Sequence, residues 1–150
     1  MVGKRFVPTR TPEPILGARI LGLKIDDEFE IAHRLNTGLP TTAIGRLARE
    51  LDVTDKQVLI ATSIPESTFH AHKRDGKPLS ADASSRVYRL ARAAEAAEAY
   101  FDGDKAAARH WLTHPKLALD GATPLEFART PEGSDYVIKL LHRMEHGVIS

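Results

Sequence analysis

Helix start and stop signals follow one another along most of this sequence, and they constrain the fold more than any other feature. Aspartate, serine or threonine stands before apolar residues at helical spacing, and glycine or proline stands where each run ends. No segment shows the alternation of apolar and polar residues that a half-buried strand requires. The pattern predicts an all-α fold with helices over 27–37, 41–51, 54–62, 66–75, 81–102 and 104–112, a short helix from Pro124, and a last helix to about His146.

The apolar faces of these helices predict how they pack. The longest helix, 81–102, is rich in alanine, which favours helix and lets a neighbouring helix approach closely. Residues 1–14 predict a flexible lead, and the pattern assigns no structure to 15–25. The side chains expected to face inward are Phe29, Ile31, Ala32 and Leu35 in the first helix, Val87, Leu90, Ala91, Ala94 and Phe101 in the longest, and Val137, Leu140, Leu141 and Met144 in the last.

The composition is typical of an ordinary globular protein. The chain has 150 residues, of which 42% are hydrophobic and 27% charged, so one or two small domains are expected. No apolar run approaches the roughly 18 residues that a membrane-spanning helix needs, and residues 1–5 do not resemble a secretory signal. The absence of cysteine excludes disulfides and thiol catalysis. We therefore expect a cytoplasmic protein with no membrane association.

Side chains able to perform catalysis are not grouped in any recognisable motif. The pairs His110/His114 and His142/His146 have the i,i+4 spacing that places two rings on one helical face, but a metal site needs a third ligand. There is no His-Glu-x-x-His, no glycine-rich phosphate loop and no Gly-x-Ser-x-Gly. The prediction is a protein that is not an enzyme and uses no metal and no cofactor.

The helix–break–helix at residues 54–76 is the most informative local pattern. Ser63-Ile64-Pro65 separates two short helices, as in a helix-turn-helix. Ser63 stands where glycine is common and Glu66 would repel phosphate, so two ordinary packed helices are the alternative. The net charge is only +1, so DNA binding would depend on a local patch. The side chains predicted to reach DNA are Ser67, Thr68, His70, Lys73 and Arg74, with Thr68 turned inward or along the rim.

The C-terminal part contains a succession of motifs that resembles a known module. Trp111-Leu112 is followed by a proline loop, then by the segments 119–126 (LDGATPLE), 130–133 (TPEG) and 143–148 (RMEHGV). In this order they closely resemble the toxin-binding module of the Xre/MbcA/ParS antitoxins. Residues 39–103 resemble the Xre-like helix-turn-helix of the same family, and residues 1–25 lie outside the resemblance.

The resemblance implies a bacterial type II antitoxin that represses its own operon as a homodimer. Its partner would be a RES-domain toxin, an enzyme that destroys NAD, and the C-terminal module would cover the active-site cleft of that toxin. Arg143 would pair with acidic groups, and the terminal carboxylate would enter a site built for an anionic dinucleotide. The alternative is that the last four residues fray in solvent. The residues expected to bind the toxin are His142, Arg143, His146, Gly147, Val148, Ile149 and Ser150.

The predicted organisation has three parts: an N-terminal extension over 1–25, a helix-turn-helix domain over 26–103 and a toxin-binding module over 104–150. Two other functions fit the same residues. One is a stand-alone helix-turn-helix transcriptional regulator whose C-terminal module only dimerises. The other is an adaptor for a partner that is not a toxin.

Overall fold

The computed structural model describes residues 15–147, and this range contains helices and connecting turns but no strand. The prediction of an all-α fold is confirmed. The helices are α1 Glu28–Thr37, α2 Thr42–Leu51, α3 Asp55–Ala61, α4 Glu66–Arg74, α5 Ala81–Tyr100, α6 Lys105–Thr113, α7 Pro124–Phe127 and α8 Pro131–Glu145, with a 3-10 turn at Leu117–Leu119. None of these helices is long and apolar enough to cross a membrane. The flexible lead predicted for 1–14 lies outside the described residues.

Side-chain caps begin most of the helices where the sequence predicts them. Each capping oxygen accepts a hydrogen bond from a backbone N–H three residues further on, which satisfies a donor that the helix itself leaves unpaired. At Thr54 and Thr123 the third residue also bonds back to the cap, completing a capping box. The capping residues are Asp27, Thr54, Ser80, Asp104, Thr123 and Thr130.

Helix α5 is the central helix of the molecule. It contacts α1 and α2 from the N-terminal part and α6, α7 and α8 from the C-terminal part. Because it is covered on several sides, small side chains are needed where its neighbours approach. Phe101, which was predicted to belong to its apolar stripe, is only half-buried. The buried residues of α5 extend beyond the predicted stripe and are Ala83, Ser84, Val87, Leu90, Ala91, Ala93, Ala94, Ala96 and Ala97.

The segment 15–25, which the sequence left unassigned, forms turns that pack on the core. Leu21 and Ile25 are buried, and the backbone N–H of Gly17 donates to the carboxylate of Glu95 on α5. Arg19 pairs with the same carboxylate at 3.1 Å. These contacts join the segment to α5, so it is part of the folded body.

The predicted inward face of α1 is partly wrong. Ile31 is buried, but Phe29 is 80% exposed and Ala32 is exposed as well. Helix α1 lies at the edge and packs mainly on α5, so only a narrow stripe of it is covered. The Phe29 ring instead stacks parallel to that of His33, with 6.2 Å between the ring centroids.

A pair of carboxyl groups, Glu50 on α2 and Glu98 on α5, lies where these helices meet α6. Burial raises the pKa of Glu50, and its hydrogen bond with Glu98 adds to this effect, while Lys105 at 3.3 Å opposes it. That hydrogen bond is also the main reason why the pKa of Glu98 is lowered. The pair therefore favours a proton on Glu50 that is donated to the Glu98 carboxylate.

A Glu50→Gln variant should gain stability relative to the wild type as the pH rises. Just above the ordinary carboxyl pKa, Glu50 is protonated in the folded state and ionised in the unfolded state, so its contribution to stability falls with rising pH. Glutamine keeps an N–H donor for Glu98 and cannot ionise. Urea unfolding at several pH values between about 4 and about 8 measures the difference. A difference that does not change with pH would contradict this prediction.

Candidate functional site

Helices α3 and α4 form a helix-turn-helix whose turn spans Thr62–Pro65. Phe69 is only 3% exposed and anchors the inner side of α4 in the core. The buried Thr62 carbonyl accepts a hydrogen bond of 2.6 Å from Nε of Arg86 on α5. The turn is thereby fixed to the central helix, and the outer face of α4 is presented to solvent.

Ser63 in this turn adopts the left-handed backbone conformation, with φ of 54°. A side chain in this region costs about 1 kcal/mol or more, which glycine avoids. Ser63→Gly should therefore stabilise the fold by about 1 kcal/mol, measured by urea unfolding. The matched control is Ser67→Gly, in the exposed helix α4, which should destabilise the fold by roughly 0.5–1 kcal/mol. Destabilisation by both variants would mean that the turn is not strained.

The five predicted DNA-contacting side chains all lie on the exposed surface of α4, including Thr68, which was expected to be turned inward or along the rim. Two carboxylates reduce the positive charge of this face. Glu66 is 3.6 Å from His70, and Asp75 is 3.1 Å from Arg74. Lys73 lies over the Phe69 ring, with Nζ 5.9 Å from its centroid, and makes no ion pair with another described residue. Lys73 is therefore the main uncompensated cation that α4 contributes.

The C-terminal helices are held against the rest of the molecule by both apolar and polar contacts. Val137 and Leu141, on the inner side of α8, are fully buried. Asp135 of α8 pairs with Arg92 of α5 at 3.3 Å. The Arg109 guanidinium of α6 donates to two backbone carbonyls at the end of α2, at 2.8 and 3.0 Å. These contacts hold α8 against α5 and α6 against the end of α2.

The outer side of α8 carries the predicted toxin-binding residues that the structure describes. His142, Arg143, His146 and Gly147 are all exposed at its C-terminal end. The predicted contacts at Val148, Ile149 and Ser150 lie outside the described residues. The apolar side of α8 is thus used within the fold, and its polar edge is exposed to solvent.

The pair His110/His114 lies at the end of α6, with the rings stacked and 3.7 Å between centroids. Nδ1 of His114 is 2.6 Å from the carbonyl oxygen of His110, a local hydrogen bond at the helix end. Within residues 15–147 there is no group of three or more histidine, aspartate or glutamate side chains placed to hold a metal ion.

Two domain families match this chain. Residues 30–92 match the antitoxin Xre-like helix-turn-helix domain, and residues 96–147 match the antitoxin Xre/MbcA/ParS C-terminal toxin-binding domain. The antitoxin Xre of Pseudomonas putida is 30% identical over 128 residues, which cover 83% of this chain and 76% of the relative. The chain belongs to the Xre/MbcA/ParS antitoxin family.

Two further relatives are similar over most of their length. The antitoxin Xre of Photorhabdus laumondii is 29% identical over 116 residues, covering 77% of this chain and 78% of the relative. The antitoxin Xre of Yersinia enterocolitica is 26% identical over 132 residues, covering 88% of this chain and 89% of the relative. The family is regulatory, and its members combine a helix-turn-helix with a toxin-binding domain.

Two aromatic residues of this Xre-type antitoxin lie outside the binding residues predicted from the sequence. Phe127 and Tyr136 are both 36% exposed, and their rings meet edge to face with 5.5 Å between centroids. The Arg143 guanidinium lies 5.6 Å from the centroid of the Tyr136 ring. Tyr136 precedes Arg143 by seven residues, which places both on one face of a helix, and this spacing was the signal available in the sequence. The exposed edge of α8 therefore includes an aromatic side chain beside the predicted cation.

Proposed function

We propose that this antitoxin neutralises a RES-domain toxin by covering the NAD site of that enzyme with the C-terminal end of α8. The observation that carries the proposal is the division of α8 into two sides. Val137 and Leu141 hold it against the core, while His142, Arg143 and His146 stay exposed on one edge. A helix fixed in this way presents a preorganised edge, which reduces the entropy cost of binding.

The chemistry of this edge suits a cleft that combines acidic groups with an apolar pocket. Arg143 offers a planar cation for acidic groups that line the cleft of the toxin. Val148 and Ile149 are apolar and suit a neighbouring pocket. In this proposal the antitoxin contributes no catalysis, acts in the cytoplasm and excludes NAD by occupancy.

The proposed division of labour follows the predicted parts of the chain. Residues 104–150 bind the toxin, and residues 26–103 bind the operator through the exposed face of α4, with two copies reading two half-sites as helix-turn-helix dimers do. The resulting complex represses its own operon. The alternative, a transcriptional regulator with no toxin partner, uses the same helix-turn-helix, and its C-terminal module only dimerises.

Co-expression with the neighbouring gene tests the toxin half of the proposal. We expect a complex that is stable in size-exclusion chromatography, with cellular NAD spared, and loss of protection when residues 147–150 are deleted. Protection that survives this deletion would assign inhibition to the face of α8 rather than to the tail. No complex and no rescue would favour the stand-alone regulator.

Lys73→Ala combined with Arg74→Ala should weaken operator binding and leave toxin inhibition unchanged. The two cations lie on the outer face of α4. For each phosphate that loses its cation, the slope of log binding constant against log salt concentration should become shallower by about 0.9. Gel shifts at fixed and varied salt measure the effect. Lys139→Ala, which removes an exposed cation from α8, is the control. Equal operator affinity for the double variant and the control would mean that Lys73 and Arg74 are not part of the DNA-binding surface.

A further inference from the structure

A cavity of about 340 Å³ opens between α2, the start of α3 and α4, which is the recognition helix in the proposed DNA binding. Arg46 and Arg49 of α2 line it on one side, and Lys73 of α4 lines it on the other. Asp55 is the one carboxylate among its lining residues. A site lined by three cations and one carboxylate favours an anion.

The three cations are not neutralised by ion pairs. All three side chains are exposed, and none of them makes an ion pair with another residue in the range 15–147. Arg46 lines the cavity at its edge, because its guanidinium lies close to Gly22. Arg49 and Lys73 come from different helices, which indicates a site formed by tertiary packing.

Gly45 in the cavity wall is a second, independent indication of a ligand. It lies inside α2, where glycine costs roughly 0.5–1 kcal/mol relative to alanine. Neither conformation nor packing requires it, because its φ is not positive and a Cβ there would meet only Asp55 Oδ1, at 3.9 Å. A glycine that the fold itself does not need leaves the helix backbone open to close approach from the cavity.

We propose that this cavity binds a phosphodiester group of the DNA backbone, held by Arg49 and Lys73, with Arg46 at its edge. The inference rests on the proposed DNA binding and adds a contact from α2 that the recognition helix does not supply. Lys73 belongs both to the cavity and to the exposed face of α4. A DNA backbone that passes along this face therefore reaches the cavity. A phosphate contact of this kind fixes orientation on the duplex and carries no sequence information.

The salt dependence of binding to a fluorescent duplex of arbitrary sequence tests the proposal. The test variant is Arg46→Gln with Arg49→Gln, and the control is Lys139→Gln on α8. Removal of one neutralised phosphate from the interface should lower the log–log salt slope by about 0.9. The control should keep the wild-type slope, and thermal melting should find both variants folded. Gly45→Ala should lower DNA affinity although it stabilises α2.

The possible outcomes separate this proposal from the proposed function. An unchanged slope in the double variant would overturn the site while DNA binding by α4 stands. If the wild type binds no duplex at all, the DNA half of the proposed function fails and the phosphodiester assignment fails with it. Calorimetric titration with inorganic pyrophosphate then identifies the source of the anion. Binding that is abolished in the double variant would reassign the cavity to a free phosphate compound.

Discussion

A Gly133→Ala variant is expected to lose about 3 kcal/mol of unfolding free energy, at the upper end of the usual cost of overpacking. Gly133 lies in the first turn of α8, where its N–H donates to the Thr130 hydroxyl at 3.0 Å. A Cβ at this position would overlap the carbonyl oxygen of Phe127, at the end of α7, and would lie 2.9 Å from its carbonyl carbon. The obstructing atoms belong to the backbone of Phe127, so the methyl group fits only if α7 and α8 move apart.

Gly45→Ala is the matched control for this prediction. Both glycines lie in helices, and neither has positive φ, but Gly45 has room for a Cβ. We expect alanine at position 45 to stabilise the protein by roughly 0.5–1 kcal/mol, because it reduces the entropy lost on folding. Urea unfolding of both variants measures the two changes. Similar effects at the two positions would mean that the contact between α7 and α8 is not tight.

Local signals in the sequence were sufficient to predict where the helices begin. A cap such as Thr54 or Ser80 acts on a backbone N–H three residues away, so its role can be inferred without knowing the rest of the fold. The same holds for Ser63, whose strain follows from the turn alone. These features depend on short stretches of chain.

Features that depend on tertiary packing were not predictable in this way. Phe29 has the spacing of a core residue but is exposed, because the neighbours of α1 cover only part of it. Residues 15–25 have no helical or strand period, and their burial depends on the surface that α5 offers.

The same distinction between local sequence and tertiary packing applies to the candidate sites. The exposed residues of α4 and α8 were identified from helical periodicity and family resemblance. The cavity shared by α2 and α4 was not identified, because Arg49 and Lys73 are far apart in the sequence and no pattern links them. The meeting of Phe127 with Tyr136 likewise depends on how α7 packs against α8.

The junction at Ala94 explains why the two functional parts should unfold together. Ala94 is 3% exposed and lies at a small space bordered by Leu51 of α2 and by Ala108 and Leu112 of α6. It falls between the two stretches that match the helix-turn-helix and toxin-binding domains, 30–92 and 96–147. One face of α5 therefore joins the part proposed to bind DNA to the part proposed to bind the toxin.

An Ala94→Leu variant is expected to lose about 3 kcal/mol of unfolding free energy. The space at the junction, about 10 Å³, holds none of the three added carbons, so α2 or α6 must move away from α5. The control is Ala99→Leu on the exposed side of the same helix, where leucine should change stability by less than about 0.5 kcal/mol. Unfolding followed by circular dichroism and by Trp111 fluorescence should give one coincident transition in both variants, because α5 supports both parts. Two separate transitions in Ala94→Leu would mean that the parts fold as independent domains.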